Sequence, residues 1–336
     1  MIRVSIIGAT GYTAAEAAAI LHRHEGATLV AATSRQDAGR PISEVHRGLT
    51  GKTDVVISKF DAATIARQSD VVMCCLPHGA SAATVRQLCD AGTRVIDFSA
   101  DFRLSDLAVY ERWYGVEHPW PEKFGQVVYG MPEFFAEQIA GADVVANPGC
   151  YPTSAILPLA PLLSDGQIEP DDIIVDSKSG VSGAGRGAKL ATLYCETNES
   201  IAAYAVGSHR HGPEINDLVR RIAGTSIESI FTPHLTPMSR GILSTIYVRP
   251  AGGHDADSMR RCLRDRYTDS RFVHVVDSPP ATGHVAGTNH VHIAVDASGS
   301  RVVLTCAIDN LAKGASGAAV QNMNVMFGLE PGVGLG

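Results

Sequence analysis

Short apolar runs and helical patterns alternate through the first half of the chain. Five runs predict buried strands, at residues 4–7, 28–33, 70–76, 94–98 and 143–146. A helical pattern follows the first run at residues 15–23, whereas residues 104–138 are rich in aromatic side chains and are predicted to be irregular. Strands that alternate with helices are typical of βαβ units, whose strands lie parallel in one sheet. The first half is therefore predicted to be a Rossmann-like, doubly wound domain.

The second half shows a different, period-two alternation of apolar and polar residues. Strands are predicted at residues 172–177, 227–232, 242–248, 290–295 and 302–308, with a helix at 257–267. Period-two strands favour a mostly antiparallel sheet with one polar face. A helix rich in small residues is predicted at 313–327, and we expect it to pack back on the first domain. The fold class is thus α/β, with a Rossmann-like domain at 1–149 that residues 310–336 rejoin, and an α+β domain with a mostly antiparallel sheet at 150–309.

Composition excludes several classes of function. The 336 residues carry a formal net charge of -7 and no clustered basic face, which argues against nucleic acid or a membrane surface as partner. The N-terminus runs directly into a predicted strand, so we expect no cleavable signal. Seven cysteines without framework spacing predict reduced thiols and a cytoplasmic protein. No histidine and cysteine set has metal-ligand spacing, so no metal is expected.

The turn after the first predicted strand carries glycines at the spacing G-x-x-G-x-x-A, formed by Gly8, Gly11 and Ala14. A glycine turn between a strand and a helix lets backbone N–H groups approach a pyrophosphate. An ordinary strand–helix turn is the less favoured alternative. The second strand then ends at Ser34 and Arg35, where an NAD site often has an acidic residue. A hydroxyl and a guanidinium suit a 2′-phosphate instead, so NADP(H) is the expected cofactor, with a solvated surface Arg35 as the alternative.

Polar side chains also follow the later strands of the first half. Pro77, His78 and Ser81 follow the third strand, and Ser99 and Arg103 follow the fourth. In a doubly wound sheet these loops form the ligand crevice. His78 has a second interpretation, as a cap of the helix that follows it.

A lone cysteine, Cys150, lies between a strand and a helical pattern in the segment 147–153. A thiol at a helix N-terminus is activated by the helix dipole and by unpaired N–H groups. Most unpaired cysteines are instead small buried hydrophobic residues. Between these two interpretations, the nucleotide turn before the cysteine and the histidines after it favour a nucleophile at the edge of the nucleotide site.

Two polar segments of the second half are candidates to complete this site. Residues 178–187 combine small residues with basic ones and resemble an anion-binding nest, with a flexible linker as the alternative. Further along, His209 and His211 bracket Arg210 ahead of a helical pattern. Histidine exchanges protons near pH 7, so one of the pair is the expected partner of the thiol, with His211 preferred and His209 in reserve.

Taken together, these segments resemble the N-acetyl-gamma-glutamyl-phosphate reductases of arginine biosynthesis. The resemblance covers essentially the whole chain, and its most specific segments are 147–153 and 309–315. It implies an NADPH-binding domain and a catalytic and dimerisation domain similar to aspartate-semialdehyde dehydrogenase, in a homodimer or homotetramer. It also implies reduction of N-acetyl-L-glutamyl 5-phosphate to the 5-semialdehyde through a thioester on Cys150. Ala14 departs from the glycine usual in the family, although alanine is tolerated there.

The expected site residues fall into three groups. The catalytic residues are Cys150, His211 and His209. The expected cofactor contacts are Gly8, Thr10, Gly11, Tyr12, Thr13, Ser34, Arg35, Pro77, His78, Ser182, Gly183 and Asn310, the last near the nicotinamide by the resemblance. The expected substrate contacts are Arg103, Asn147, Ser179, Arg186, Arg210 and Glu214. The alternative functions are reduction of aspartyl phosphate or of a carrier-bound aminoadipyl phosphate, a phosphate-independent aldehyde dehydrogenase, and a non-catalytic NADP-binding redox sensor.

Overall fold

A computed structural model describes all 336 residues of the chain. The chain forms two compact units, Met1–Pro148 with Ala315–Gly336 (unit 1) and Gly149–Gly314 (unit 2). Residues 310–314, which the sequence predicts in the first domain, belong to unit 2. The reason is local, since the Asn310 side chain accepts a hydrogen bond from the Gly241 N–H and donates one to Ser182 Oγ. No helix is long and apolar enough to cross a membrane.

Strands and helices are numbered along the chain. The strands are β1 (Ile2–Ile7), β2 (Ala27–Thr33), β3 (Ile57–Ser58), β4 (Val71–Cys74), β5 (Arg94–Asp97), β6 (Val128–Tyr129), β7 (Val144–Ala146), β8 (Ile174–Gly180), β9 (Ala202–Ala203), β10 (Ile230–Thr236), β11 (Ile242–Val248), β12 (Val273–Val275), β13 (Val291–Ser298) and β14 (Arg301–Ile308). The α-helices are α1 (Tyr12–His22), α2 (Ile42–Val45), α3 (Ala62–Gln68), α4 (Ala82–Asp90), α5 (Leu107–Tyr114), α6 (Pro132–Ala140), α7 (Cys150–Ser164), α8 (Tyr194–Thr197), α9 (His211–Ala223), α10 (Ala256–Arg266) and α11 (Gly317–Met326).

Unit 1 contains a seven-stranded sheet in the order β3-β2-β1-β4-β5-β7-β6. Every pairing in it is parallel. Strands β4 and β7 are buried along their whole length, which explains their continuous apolar runs. The strand order reverses between β1 and β4, where doubly wound sheets bind their ligands. The predicted Rossmann-like fold is confirmed.

Residues 104–138 are more regular than the sequence predicts, because they contain α5 and the first part of α6. Asp106 caps α5 by accepting hydrogen bonds from the backbone N–H groups of Ala108 and Val109. Gly115 ends the helix with a φ of +68°, a conformation that favours glycine. The aromatic side chains pack against one another, and the rings of Tyr110 and Tyr114 stack with centroids 4.7 Å apart. The many aromatic residues of this segment obscured the helical period of its sequence.

Unit 2 contains a second seven-stranded sheet, in the order β12-β13-β14-β11-β8-β10-β9. Its centre is antiparallel, but β8 pairs with β10 and β12 pairs with β13 in parallel. The sheet is therefore mixed, and the predicted mostly antiparallel arrangement is wrong in those two places. The chain returns from β8 to β10 through a crossover that includes α9, which makes the two strands parallel. A period-two pattern is the same for both directions of pairing.

The long helix α7 forms the centre of unit 2, with residues 151–163 all buried. It contains Pro158 and Pro161, and a proline inside a helix removes the N–H that would bond the carbonyl four residues earlier. For Pro161 that carbonyl belongs to Leu157, and it accepts a hydrogen bond of 2.6 Å from the Tyr267 hydroxyl instead. A side chain 110 residues away thus replaces the missing backbone donor.

The C-terminal helix is shorter than the predicted 313–327. A π-helical turn, Ala312–Ser316, precedes α11. The buried Asp309 carboxylate accepts from the N–H groups of Leu311 and Ala312, and the Asp309 carbonyl accepts from Gly314. These bonds hold the first residues of the pattern in a turn rather than in a regular α-helix.

Candidate functional site

The glycine turn of unit 1 packs closely against the loop that follows β4. Gly8 has a φ of +80°, and a Cβ at this position would lie 2.6 Å from the Cys75 carbonyl oxygen. The N–H groups of Gly8 and Ala9 both donate to the Thr33 carbonyl. Gly11 precedes α1, and no side chain caps that helix end. The first N–H groups of α1 are therefore available to a ligand anion.

A cleft of about 800 Å³ opens beside this turn. Six of the predicted cofactor contacts line it, namely Gly8, Thr10, Gly11, Ser34, Arg35 and Pro77. Eight other lining residues were not predicted as cofactor contacts, namely Ile7, Thr33, Gln36, Phe60, Cys75, Leu76, Ala80 and Thr84. Most of these follow the ends of β2, β3 and β4, so their position after a strand was the available signal. The cleft lies at the reversal of strand order in unit 1.

Three predicted cofactor contacts of unit 1 do not line this cleft. The ring of Tyr12 is 40% exposed, and the Thr13 carbonyl accepts a hydrogen bond from Ser316 Oγ. His78 Nδ1 accepts a hydrogen bond of 2.9 Å from the Ala100 N–H. His78 therefore joins two loops and does not cap the helix that follows it.

Cys150 is the first residue of α7, as the sequence predicts. The preceding Gly149 has extended backbone angles, and no side chain caps this helix end. Unpaired backbone N–H groups and the positive end of the helix dipole stabilise a thiolate at this position. Gly314 packs closely on the cysteine, since a Cβ on Gly314 would lie 2.8 Å from the Cys150 Cβ. The Cys150 side chain is only partly buried.

The environments of several other cysteines make them poor nucleophiles. Burial raises the pKa of Cys75 to about 12 and the pKa values of Cys89 and Cys262 to about 11. Burial also raises the pKa values of Cys74 and Cys306. A thiol with a raised pKa contributes almost no thiolate near neutral pH.

The carboxylate of Glu214 contacts both the cysteine turn and a histidine. Glu214 Oε1 accepts a hydrogen bond of 2.9 Å from the Gly149 N–H, directly before Cys150. Glu214 Oε2 lies 4.0 Å from His211 Nε2. The Glu214 side chain is 1% exposed, whereas the His211 side chain is 14% exposed. One buried carboxylate thus fixes the turn that presents the thiol and lies beside an imidazole on the same helix turn.

The two histidines of this segment have different surroundings. His209 lies among the rings of Tyr151, Tyr204 and Phe231, each with a centroid 5.4–5.6 Å away. Its Nδ1 accepts a hydrogen bond from the His211 backbone N–H, and the two imidazole centroids are 4.8 Å apart. Burial, with a smaller contribution from Arg210, lowers the pKa of His209 to about 4. His209 is therefore neutral near pH 7.

Two tyrosines complete the surroundings of Cys150. The hydroxyls of Tyr151 and Tyr204 are 3.1 Å apart, and Tyr151 also donates to the His234 carbonyl. Burial, with a smaller contribution from a Cys150 thiolate, raises the pKa of Tyr204 to about 12 and raises the pKa of Tyr151 further. Both hydroxyls remain protonated at physiological pH. Neither hydroxyl therefore adds a negative charge to the surroundings of Cys150.

The predicted anion-binding nest at 178–187 is only partly a loop. Strand β8 continues to Gly180, where Ser179 pairs with both Leu235 and Ile242. Lys178 forms an ion pair with Asp176 at 3.1 Å, so its charge is already balanced. The strand extends three residues beyond the predicted 172–177, so Lys178 lies on β8 and not in a loop.

The end of β8 nevertheless brings several predicted residues together. Asn310 Nδ2 donates to Ser182 Oγ at 2.9 Å, and Asn310 Oδ1 accepts from the Gly241 N–H at 2.7 Å. A Cβ on Gly183 would lie 3.2 Å from Ser179 Oγ and 3.6 Å from Asn310 Nδ2. Ser179, Ser182, Gly183 and Asn310 thus lie close together, and a hydrogen bond joins Asn310 to Ser182.

The remaining predicted substrate contacts are dispersed. Arg103 is 4% exposed, and its Nη2 donates to the Phe98 carbonyl. Asn147 donates to the Ala315 carbonyl and accepts from Asn322 Nδ2 inside unit 1. Arg186 and Arg210 are both exposed. The hydrogen bonds of Arg103 and Asn147 give each of them a structural role.

Comparison with known families defines the class of protein. The family model "Semialdehyde dehydrogenase, NAD binding domain" matches residues 3–142, and "Semialdehyde dehydrogenase, dimerisation domain" matches residues 150–310. Solved structures share the fold. The aspartate semialdehyde dehydrogenase II of Vibrio cholerae complexed with ASA superposes with a TM-score of 0.75 at 19% identity, over 97% of this chain and 98% of that chain. The aspartate semialdehyde dehydrogenase with NADP from Candida albicans gives 0.74 at 16% identity, over 97% and 98%. The chain is built like the semialdehyde dehydrogenase class of oxidoreductases.

Curated relatives then identify the family. The N-acetyl-gamma-glutamyl-phosphate reductase of Rhodopirellula baltica is 68% identical over 99% of this chain and 98% of the relative. The reductase of the same name from Desulforudis audaxviator is 49% identical over 100% and 98%. The chain therefore belongs to the N-acetyl-gamma-glutamyl-phosphate reductase family, which confirms the resemblance found in the sequence.

Proposed function

We propose that the chain catalyses the NADPH-dependent reduction of N-acetyl-L-glutamyl 5-phosphate to N-acetyl-L-glutamate 5-semialdehyde and phosphate. The relatives are named for this reaction, and the resemblance found in the sequence implies that it is a step of arginine biosynthesis. The observation that carries the proposal is the position of Cys150. It begins a buried helix, beside a glycine whose N–H is held by the Glu214 carboxylate.

The thiolate of Cys150 attacks the γ-carbonyl of the acyl phosphate, the C–O bond to phosphate breaks, and a thioester forms. A thioester accepts hydride far more readily than a carboxylate does, which is the benefit of covalent catalysis here. NADPH, when bound, supplies that hydride. The reduced hemithioacetal then collapses, releasing the aldehyde and regenerating the Cys150 thiolate.

His211 is the proposed acid and base for the hemithioacetal oxygen. Its side chain is on the first turn of α9, beside the Glu214 carboxylate that also bonds Gly149. An imidazole can both donate and accept a proton near pH 7, which is what the hemithioacetal oxygen requires in the two directions of the reaction. His209 is enclosed by aromatic rings and its Nδ1 is occupied by the His211 N–H, so it supports His211. The burial of His209 explains why it is the second choice.

The residues of unit 1 fit the proposed cofactor. Gly8 and Gly11 line the cleft, and the uncapped end of α1 offers N–H groups to a pyrophosphate. Ser34 and Arg35 line the same cleft and supply donors for a 2′-phosphate, which supports NADP(H) over NAD(H). Ser182, Gly183 and Asn310 remain proposed cofactor contacts from unit 2. Ser179, Arg186 and Arg210 remain candidates for the substrate anions.

A homodimer or homotetramer is the proposed assembly. Six large apolar side chains of unit 2 are exposed in this chain by 45% or more, namely Leu190, Leu193, Tyr194, Ile201, Val206 and Ile230. Exposed apolar side chains concentrated in one region mark interaction surfaces. Sedimentation of the purified chain tests this, and a sharp monomer at micromolar concentration would contradict it.

The reverse reaction tests the proposed activity directly. The purified chain is incubated with NADP+, phosphate and either N-acetylglutamate 5-semialdehyde or aspartate semialdehyde, and NADPH formation is followed. We expect phosphate-dependent turnover, with kcat/KM at least about 100-fold higher for the N-acetylated substrate. Turnover without phosphate would indicate an aldehyde dehydrogenase, and a preference for aspartate semialdehyde a related reductase. Binding of NADPH without any turnover would indicate a redox sensor.

A further inference from the structure

Two loops at the carboxyl ends of β4 and β5 are tied to each other in unit 1. The β4 loop contributes backbone N–H groups and the β5 loop contributes Asp101, which is fully buried. Asp101 Oδ1 accepts from the Gly79 N–H at 2.7 Å, and Oδ2 accepts from the N–H groups of Ser81 and Ala82 at 3.1 and 3.0 Å. The Tyr110 hydroxyl adds a fourth bond, of 2.9 Å, to Oδ1.

Asp101 thus holds, from a different loop, the N–H groups of Ser81 and of Ala82, the first residue of α4. These groups are normally satisfied by a neighbouring side chain or by a ligand anion. The side chain of Ser81, directly before α4, makes no cap of its own and instead donates to Asp97 Oδ1 at 2.5 Å. The amino end of α4 is therefore already occupied by a carboxylate, whereas that of α1 carries no side-chain cap.

The loop that Asp101 holds is one wall of the nucleotide cleft. Cys75, Leu76, Pro77 and Ala80 of this loop line the cleft, and Thr84 on the first turn of α4 lines it as well. Asp101 does not line the cleft itself. We propose that Asp101 is a positioning residue for cofactor binding, which fixes the β4 loop in its binding conformation before NADPH arrives. This inference rests on the proposed function, because it assumes that the cleft takes NADPH.

The first test compares two variants that remove different hydrogen bonds of the Asp101 carboxylate. Asp101→Asn places an amide N–H₂ against backbone N–H donors, so the loop loses acceptors and shifts. We expect the Kd and KM for NADPH to rise about tenfold or more, while the KM for the acyl phosphate and kcat at saturating NADPH change less than about threefold. Tyr110→Phe removes only the hydroxyl donor and keeps all three backbone bonds, and we expect less than about a twofold change in the Kd for NADPH.

A residue that only stabilises the fold would give a different pattern. It would lower the melting temperature and the active fraction, and so kcat, without separating the two KM values. Folded Asp101→Asn protein that binds NADPH as tightly as the parent chain would overturn the inference. If the parent chain itself bound no NADPH, the proposed function would fail, and the inference about Asp101 would fail with it.

A second test needs no variant. Amide hydrogen exchange is measured on the parent chain with and without NADPH. We expect the N–H groups of Gly79, Ser81 and Ala82 to be protected already in the free protein, with little further slowing on binding. Rapid exchange in the free protein and protection only with NADPH would mean that the cofactor organises the loop, which would contradict the inference.

Discussion

The buried carboxylate of Glu214 accepts a hydrogen bond of 2.9 Å from the backbone N–H of Gly149. The two residues are 65 positions apart in the chain. Gly149 is the last residue before α7, so this bond fixes the direction in which Cys150 enters the helix. The other carboxylate oxygen lies 4.0 Å from His211 Nε2. The Glu214 side chain therefore fixes the position of Cys150 and also places a carboxylate beside His211, the proposed acid and base.

Substitution of Glu214 should affect turnover more than binding. Glu214→Gln keeps an oxygen that can accept from Gly149 but removes the negative charge near His211. We expect kcat to fall about 10- to 100-fold, because the proposed acid and base loses the carboxylate that lies beside it. The KM for NADPH should stay within about twofold. Glu228→Gln, at an exposed position of the same unit, is the matched control. Full activity of Glu214→Gln would show that turnover does not need the Glu214 carboxylate.

The two histidines should separate in their pH–rate profiles. His211→Asn removes the proposed acid and base, so we expect a fall in kcat of about 100-fold or more and the loss of the limb that His211 produces. His209→Asn keeps His211 and removes the imidazole ring that packs beside it. We therefore expect a smaller fall in kcat and a pH–rate profile of unchanged shape. Steady-state kinetics between pH 5.5 and 9, with both substrates saturating, checks this. The opposite pattern would transfer the role to His209.

Protonation of His209 should destabilise the fold in acid. Burial lowers the pKa of His209 to about 4 in the folded chain, against about 6.5 in the unfolded chain. The unfolded chain therefore binds the proton more readily, and stability is lost as the pH falls from about 6.5 to about 4. The difference corresponds to about 3 kcal/mol in the free energy of unfolding. Urea unfolding of the parent chain at pH 7 and pH 4.5 measures the loss.

The variant His209→Gln isolates this contribution from the other titrating groups. Its free energy of unfolding should fall less between the two pH values, by about 2 kcal/mol, because glutamine takes up no proton. His22→Gln, at an exposed site, should follow the parent chain. Equal pH dependence in all three proteins would show that His209 is not protonated on unfolding in this range.

Much of the fold was predictable from local patterns. The apolar runs identified every long strand of the parallel sheet, and the segment 147–153 placed Cys150 at the start of a helix. Contacts between distant segments were not predictable in the same way. The Glu214–Gly149 bond, and the loop tie made by Asp101, depend on a tertiary arrangement that no local pattern records. The direction of pairing in the second sheet was missed because side chains alternate identically in parallel and antiparallel strands.

The bond between Tyr267 and Leu157 offers a test of one such distant contact. Tyr267→Phe removes the hydroxyl that satisfies the Leu157 carbonyl, so we expect a loss of about 1–2 kcal/mol in the free energy of unfolding. Pro161→Ala restores a backbone N–H at the position that would normally bond this carbonyl. The double variant should therefore lose less than the sum of the two single losses, which a double-mutant cycle measures. Additive losses would show that the hydroxyl does not substitute for the missing donor.

The most direct test of the central claim is to trap the acyl group on Cys150. The purified chain is mixed rapidly with fresh N-acetyl-L-glutamyl 5-phosphate in the absence of NADPH, and both released phosphate and protein mass are measured. We predict a burst of about one phosphate per active site with an N-acetylglutamyl adduct on the peptide that contains Cys150, and neither in Cys150→Ala. A phosphate burst that persists in Cys150→Ala, or an adduct on another residue, would contradict the account.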